Sequence, residues 1–175
     1  METTSSNPIY SQCEITRTII LAITSVGKNI RGTIEKQIIS LVEGKCILEG
    51  FVRRDSVKLV NYSSGTVKGT QIIYNTIFTC DVFYSVPGMP LNCVVKTVNA
   101  AGVQAESADI SPSPFIVYIM KDHYYNNDEF NSIAVDDRIR VIAKLQRFEI
   151  NDSHIELIAD LDALDKERSG KPHPN

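Results

Sequence analysis

A long run of alternating residues near the middle of the chain constrains the fold more than any other feature. Between residues 70 and 84, apolar side chains occupy nearly every second position. The apolar set is Ile72, Tyr74, Phe78, Cys80, Val82 and Tyr84, and the polar set includes Gln71, Asn75, Thr79 and Asp81. Successive side chains of a strand point to opposite faces, so this run predicts a half-buried β-strand. A strand of ~15 residues is unusually long, and we expect a bend or bulge near its middle.

An amphipathic helix is predicted over residues 28–42, before this strand. Its apolar side chains at helical spacing are Ile30, Ile34, Ile38, Leu41 and Val42. Asn29 or Ser25 is the expected N-cap, and Gly44 stands where a left-handed C-cap residue is expected. Shorter strands are predicted at residues 14–23, 46–52 and 56–60. The N-terminal half is therefore expected to form an antiparallel sheet with one amphipathic helix.

The segment Val86-Pro87-Gly88-Met89-Pro90 interrupts all strand pairing, because its two prolines lack the N–H donor of a β-ladder. We place a domain boundary here, between domains at residues 1–88 and 89–165, with a disordered tail at residues 166–175. Five short strands are predicted in the second domain, at residues 91–98, 103–107, 115–120, 138–150 and 154–161. Five strands with the longest connection between the third and fourth predict an OB barrel. The fold class is thus mostly β (α+β).

Charge is distributed unevenly between the two halves. Residues 1–88 carry nine basic and seven acidic side chains, whereas residues 89–175 carry nine basic and fourteen acidic ones. A free-standing nucleic-acid binder usually has a basic face, because phosphate neutralisation supplies most of its affinity. The acidic second half therefore argues against strong autonomous RNA binding, while allowing weak contact within a larger complex.

The sequence offers no signature of catalysis. It contains no GxxxxGK[ST], GxGxxG, HExxH or GxSxG pattern. The four cysteines form no CxxC pair and lie at no zinc-ligand spacing from a histidine, which favours buried thiols in a reducing compartment. No apolar run approaches the length of a membrane span. We expect a protein that is not an enzyme and has no cofactor or metal.

The loop KDHYYNN at residues 121–127 is the best candidate for nucleic-acid contact. It combines basic and aromatic side chains, and single-stranded RNA is held by base stacking together with phosphate attraction. The alternative is that its two tyrosines pack under the loop as a lid on the barrel. On the fourth barrel strand, alternation places Lys144 and Phe148 on one face and Arg147 on the other. The candidate RNA contacts are Lys121, His123, Tyr124, Tyr125, Lys144 and Phe148.

Several segments, taken in order, resemble one family. The best local match is NIRGTIEKQIISLVEGKC at residues 29–46, followed by Gly50-Phe51-Val52. Next come the long alternating strand at residues 74–86 and CVVKTVNAAG at residues 93–102. The last matches are DDRIRV at residues 136–141 and RFEIND at residues 147–152. In this order they resemble the larger stalk subunit of multisubunit RNA polymerases, which is subunit 7 in eukaryotic polymerase II and has a direct counterpart in the archaeal enzyme.

The resemblance implies a non-catalytic, architectural role. The N-terminal domain would be a tip domain that docks the polymerase core, including the largest subunit. A small helical stalk partner would lie along the junction of the tip domain and the barrel, and the barrel would project towards the RNA exit path and contact nascent RNA weakly. The family's usual aromatic on the second barrel strand is replaced by Gln104, which favours auxiliary RNA contact only. The segment at residues 113–124 resembles homologues in large cytoplasmic DNA viruses more than it resembles cellular ones.

Carried over by position, core docking would involve residues around 10–15 and 61–68. The candidate docking residues are Tyr10, Ile15, Tyr62 and Lys68. A viral member would be found in the viral factory of the host cytoplasm and in the virion, and a cellular member in the nucleus. The alternative function is that of a free-standing OB-fold RNA-binding protein, which would bind RNA without a polymerase.

Overall fold

The computed structural model describes residues 9–164. The expected tail at residues 166–175, Asp165 at the end of the second expected domain, and residues 1–8 lie outside this part. The described residues form two compact units. The first unit contains residues 9–84 together with Glu149–Ser153, and the second contains Ser85–Phe148 together with residues 154–164. No helix within the described range is long and apolar enough to cross a membrane.

The first unit is an antiparallel sheet with one long helix. Its elements are β1 (Ser11–Ala22), a 3-10 turn (Ile23–Ser25), α1 (Ile30–Val42), β2 (Cys46–Ile47), β3 (Gly50–Val52), β4 (Lys58–Tyr62), β5 (Thr66–Lys68) and β6 (Gln71–Phe83). β6 is the central strand, because β1 pairs with one of its edges while β3, β4 and β5 pair with the other.

Helix α1 forms where the sequence predicted it and buries one stripe against the sheet. The Asn29 side chain caps its start by accepting a hydrogen bond from the Gly32 N–H at 3.0 Å. Gly44 has a φ of 68° just beyond its end, which only a residue tolerant of the left-handed region adopts readily. The buried side chains are Ile34, Ile38 and Val42. Leu41, expected in this stripe, is instead 47% exposed.

Of the expected bend or bulge in the long strand, a bulge is absent from its pairing with β1. β6 pairs with β1 from Ser11↔Val82 to Ala22↔Gln71 without a shift in register. The irregularity lies in β4 instead, between Leu59 and Asn61, where Val60 is the extra residue. A neighbouring strand of similar length pairs with β6 along nearly its whole course.

The predicted strand at residues 46–52 is a short hairpin, in which Cys46 of β2 pairs with Phe51 of β3. The segment Glu149–Ser153 joins the first unit beside it. The Cys46 N–H donates to the Asp152 carbonyl, and the Asn151 N–H donates to the Cys46 carbonyl, both at 2.8 Å. These two bonds give hydrogen-bond partners to the N–H and the carbonyl of Cys46, which lies on the short strand β2.

The second unit is a closed five-stranded barrel. Its elements are β7 (Pro90–Asn99), β8 (Gly102–Ser107), β9 (Phe115–Met120), a 3-10 turn (Lys121–His123), α2 (Asp128–Asn131), β10 (Arg138–Arg147) and β11 (Ile155–Leu164). The strand order around the barrel is β7-β8-β9-β11-β10, and β10 closes it by pairing with β7. β9 and β11 are parallel, and the other neighbours are antiparallel.

The barrel interior is filled by alternate side chains from all five strands, including Val95, Ala105, Val117, Val141 and Leu157. This arrangement confirms the predicted five-stranded barrel and is compatible with an OB fold. The fourth strand ends at Arg147 rather than at the predicted residue 150. The protein as described is therefore mostly β, as the alternation in its sequence predicted.

Candidate functional site

An open groove of about 620 Å³ crosses the outer surface of the barrel. It lies over β8, β9, β11 and the end of β10. The lining residues are Asn99, Ala101, Gly102, Val103, Gln104, Tyr118, Ile119, Met120, Leu145, Gln146, Arg147, Glu156, Leu157 and Ile158. Its size is within the range of ligand-binding sites. We call it the barrel groove.

A row of side chains from four adjacent strands forms the centre of the barrel groove. Pairing places Leu145 beside Ile158, Ile158 beside Tyr118, and Tyr118 beside Gln104. Tyr118 points outward because Val117 and Ile119, on either side of it, fill the interior. Tyr118 and Ile158 are each 37% exposed, and Leu145 is 65% exposed. Together with Met120 they form an apolar surface with one aromatic ring at its centre.

A β-bulge in β10 explains why Leu145 belongs to this row. Val141 and Ala143 point into the barrel, so simple alternation would also place Leu145 inside. The register shifts between Ala143 and Leu145, and Lys144 is the extra residue. The shift turns Leu145 outward and places Arg147 directly opposite Glu156 at the rim of the groove.

The turn between β7 and β8 forms one end of the barrel groove. The Asn99 Oδ1 accepts hydrogen bonds from the N–H groups of Ala101, at 2.9 Å, and Gly102, at 3.1 Å. Gly102 has a φ of 152°, and a Cβ at this position would collide with the Ile119 carbonyl oxygen. The close approach of β8 to β9 at the groove therefore depends on glycine.

Part of the predicted RNA-contact set comes together around one carboxylate. Lys144 Nζ lies 3.1 Å from Asp160 Oδ2, and His123 Nδ1 lies 3.9 Å from Asp160 Oδ1. All three side chains are substantially exposed. The aspartate offsets the basic charge at this point, so the cluster has little net positive charge with which to attract a phosphate. Lys121 begins the 3-10 turn that carries His123.

The two loop tyrosines differ in role. Tyr124 stacks on Phe130 with ring centroids 4.6 Å apart, and its hydroxyl oxygen accepts a hydrogen bond from the Leu161 N–H at 2.7 Å. Burial raises the pKa of the Tyr124 hydroxyl. Tyr124 is thus a packing residue, as expected if the loop tyrosines form a lid on the barrel. Tyr125 is 74% exposed, and its hydroxyl lies 3.3 Å from Asp122 Oδ1.

Phe148 lies beyond the end of β10 and is half-buried. The expectation that Phe148 and Lys144 share one face of a continuous strand is therefore wrong, for two reasons. The bulge at Lys144 resets the alternation, and the strand ends at Arg147. Neither residue is part of the barrel groove.

The predicted docking residues of the first unit fall into two classes. Ile15 is 4% exposed in the core beside Phe78, so its side chain is not available to a partner, which corrects that assignment. Tyr62 is half-buried with its ring edge-on to Tyr74, and Lys68 is exposed at the end of β5.

The Tyr10 ring contacts Arg53, another residue of the first unit. The guanidinium carbon of Arg53 lies 5.7 Å from the centroid of its ring, and Arg53 Nη2 lies 2.6 Å from Asp81 Oδ2. Burial raises the pKa of Tyr10 to about 12, partly opposed by the charge of Arg53. The attraction between the Arg53 guanidinium and the Tyr10 ring stabilises this contact. Tyr10 therefore helps to hold the start of β1 in place.

No protein-family model matches this chain, and no curated protein does either. The most specific class that the geometry supports is a mostly β protein whose second unit is a closed five-stranded barrel compatible with the OB fold. Because a fold does not define a function, the function must be argued from the surfaces described above and from the sequence motifs.

Proposed function

We propose that this protein is a non-catalytic stalk subunit of a DNA-dependent RNA polymerase. The first unit is its polymerase-docking tip domain, and the second unit is an OB barrel that contacts nascent RNA. Its partners are the polymerase core subunits, including the largest, and a small helical stalk partner. A viral member would act in the viral factory and be packaged in the virion.

The order of the family-like motifs along the elements carries this proposal. The motif at residues 29–46 covers the N-cap, all of α1 and the start of β2, and Gly50-Phe51-Val52 is the whole of β3. The motif at residues 93–102 contains most of β7 and its turn, and the motif at residues 136–141 leads into β10. Motifs that follow the order of the elements, with the first covering a whole helix and its cap, support a shared architecture better than scattered matches do.

The hairpin formed by β5 and β6 is the best surface for docking to the core. Val67 is 63% exposed, and Lys68 follows it at the turn, where Gly69 has a φ of 62°. An exposed apolar residue beside a cation is a combination that protein interfaces use. Tyr62 is half-buried against Tyr74 and is less suited to a direct contact.

Reversing the charge of this hairpin is expected to weaken association with the polymerase. A tagged full-length chain is purified from cells that contain the polymerase, and core subunits are quantified by mass spectrometry. Lys68→Glu should lower recovery of the largest subunit at least about fivefold, since like charges across an interface are strongly unfavourable. The matched control is Lys58→Glu, an exposed lysine at the far end of β4, which should recover normal amounts.

The outcome also distinguishes the two functions. Equal recovery with Lys68→Glu and Lys58→Glu would remove the hairpin from the docking surface. Recovery of ribosomes without any polymerase subunit, from the unmodified chain, would refute the stalk function and favour a free-standing RNA-binding protein.

The barrel groove is the proposed RNA contact. Tyr118 offers a ring on which an unpaired base can stack, and Arg147 lies at the rim within the same groove. This tyrosine on the third strand stands directly opposite Gln104, which replaces the family's aromatic on the second strand. The surrounding acidic charge is expected to keep the affinity low and strongly dependent on salt.

Removing the ring of Tyr118 is expected to weaken RNA binding measurably. The probe is a fluorescent oligouridylate of about ten nucleotides, within the site size of one OB fold, titrated at low salt. Base stacking contributes about 1–3 kcal/mol, so Tyr118→Ala should raise Kd by roughly fivefold or more, whereas Tyr118→Phe should leave it nearly unchanged. A larger loss with Tyr125→Ala than with Tyr118→Ala would place the contact on the loop instead of the groove.

A further inference from the structure

The outer edge of β1 is a long row of main-chain groups without a neighbouring strand. β1 has twelve residues and ends the sheet of the first unit, with β6 on its inner side. No other strand among residues 9–164 pairs with it. Unpaired edges are templates for another chain, and proteins usually protect them with a bulge, charged side chains, a proline, a short strand or a covering segment. β1 is long, has no proline and no bulge in its pairing with β6, and its only charged side chains are Glu14 and Arg17.

Two hydrogen bonds show which groups of β1 face this edge. The Ser63 N–H donates to the Asn75 carbonyl at 2.8 Å, so the main chain of Asn75 points away from β1. The Ile23 N–H donates to the Thr70 carbonyl at 3.0 Å, so the main chain of Thr70 points towards β1. Bonding alternates along an antiparallel pair, so the even-numbered residues of β6 bond to the odd-numbered residues of β1. The even-numbered residues of β1 therefore point outward.

The outward set is Gln12, Glu14, Thr16, Thr18, Ile20 and Ala22. All six are exposed, and their side chains lie on the solvent face of the sheet. One outward group has a partner, because Arg17 Nη1 donates to the Thr16 carbonyl at 3.0 Å. The outward main-chain groups of Gln12, Glu14, Thr18 and Ile20 have no hydrogen-bond partner among the described residues.

A second copy of this chain would leave Glu14 at the edge without a cation opposite it. When two copies of β1 lie antiparallel, outward residues pair with outward residues, so even-numbered positions meet even-numbered positions. The one charge in the outward set is Glu14, and the one charge in the inward set is Arg17. No register of self-pairing can therefore place a cation opposite Glu14. Arg17 is already bound to Glu49, with its Nη2 2.7 Å from Oε2.

We propose that an extended segment of a partner polypeptide adds to β1 as an antiparallel strand. The segment carries an apolar residue opposite Ile20 and, six positions later, a lysine or arginine opposite Glu14. Ile20 lies beside the half-buried Ile73, so an apolar side chain there extends an existing apolar row. Antiparallel addition continues the pattern of the whole sheet. This mode of strand addition is common in peptide recognition and does not require the partner to be a polymerase.

The test uses two synthetic peptides and the full-length chain. Each peptide has about nine residues of alternating valine and threonine, enough to span from Gln12 to Ile20 at roughly 3.4 Å per residue. One carries lysine at the position opposite Glu14, and the other carries glutamate there. Fluorescence anisotropy should show that the lysine peptide binds roughly three- to fivefold more tightly than the glutamate peptide, with the preference reversed in Glu14→Lys.

A proline in β1 distinguishes binding by strand addition, which needs the main-chain N–H groups of the edge, from binding through side chains alone. The Thr18 N–H points outward, so Thr18→Pro removes an edge donor without breaking the ladder to β6 and should weaken lysine-peptide binding by about tenfold or more. Thr18→Val removes the same hydroxyl, keeps the N–H and should change binding less than about twofold. Amide exchange on the bound chain should slow at Thr18 and Ile20.

Three outcomes overturn the proposal. The first is absence of binding by either peptide, and the second is equal binding to Thr18→Pro and Thr18→Val. The third is a concentration-dependent dimer that Thr18→Pro dissociates, because it would assign the edge to a second copy. Amide exchange at Arg17 and Ile19, which bond to β6, verifies that each variant keeps its fold.

Discussion

Replacing Gly102 with alanine is expected to destabilise the barrel by roughly 3 kcal/mol or more. Gly102 begins β8 with a φ of 152°, a region that residues with a Cβ rarely occupy. The added methyl group would also overlap the Ile119 carbonyl oxygen on β9, which cannot move without breaking the pairing of Gly102 with Met120. Strain and collision therefore act at the same residue, where the barrel groove begins.

A second glycine of the same unit provides the control. Gly88 has a φ of 88°, but a Cβ there would meet nothing within 4 Å. Gly88→Ala should therefore cost only the conformational penalty of about 1–2 kcal/mol. Urea denaturation, with amide exchange of β8 and β9 to identify the barrel transition, measures both variants. If Gly102→Ala and Gly88→Ala were destabilised equally, β9 would have moved to make room for the added methyl group. That result would contradict tight packing between β8 and β9 at Gly102.

The barrel could be predicted from sequence because each of its strands keeps a simple local pattern. Leu91, Cys93 and Val95 alternate inward along β7, and the Asn99-to-Gly102 turn marks where the chain reverses. In a small closed barrel every strand has one buried face, so alternation is visible along most of each strand, apart from the irregularities in β7 and β10. Helix α1 was predictable for the same reason, since its buried stripe recurs every four residues.

The barrel groove was missed because its central row depends on a bulge. A single extra residue, Lys144, turns Leu145 outward, and no local pattern in the sequence indicates it. Tyr118 did have a detectable signal, because it alternates with Val117 and Ile119 and so had to face outward. The family's aromatic residue on the second strand is replaced by Gln104, and the aromatic residue of this surface is Tyr118 on the third strand.

Two further differences concern a side chain that is buried in the core and a segment that pairs far along the chain. Ile15 was assigned to docking by position in a family, whereas its own alternation with Ile19 indicated the core, and the alternation was right. The segment Glu149–Ser153 joins the first unit through bonds to the main chain of Cys46. Such bonds join distant positions through main-chain groups, so they leave no pattern of residue types to detect.

Truncating Phe78 is expected to destabilise the first unit more than any other single change in its sheet. Phe78 is fully buried on β6, between Ile15 on β1 and Leu59 on β4, so its ring joins both sides of the sheet. Phe78→Ala leaves a large cavity among residues held by three strands and should cost about 3–5 kcal/mol. Urea denaturation followed by far-ultraviolet circular dichroism measures the loss.

The adjacent residue offers a matched control. Ile77 occupies the same strand but is half-buried on the other face of the sheet, across from Thr16, so Ile77→Ala should cost only about 1 kcal/mol. Since β6 is the only described strand that pairs with β1, Phe78→Ala should also weaken peptide binding at the β1 edge, whereas Ile77→Ala should retain it. Equal stability of the two variants would show that the sheet repacks around the cavity. In that case β1 would not depend on the Phe78 ring for its position.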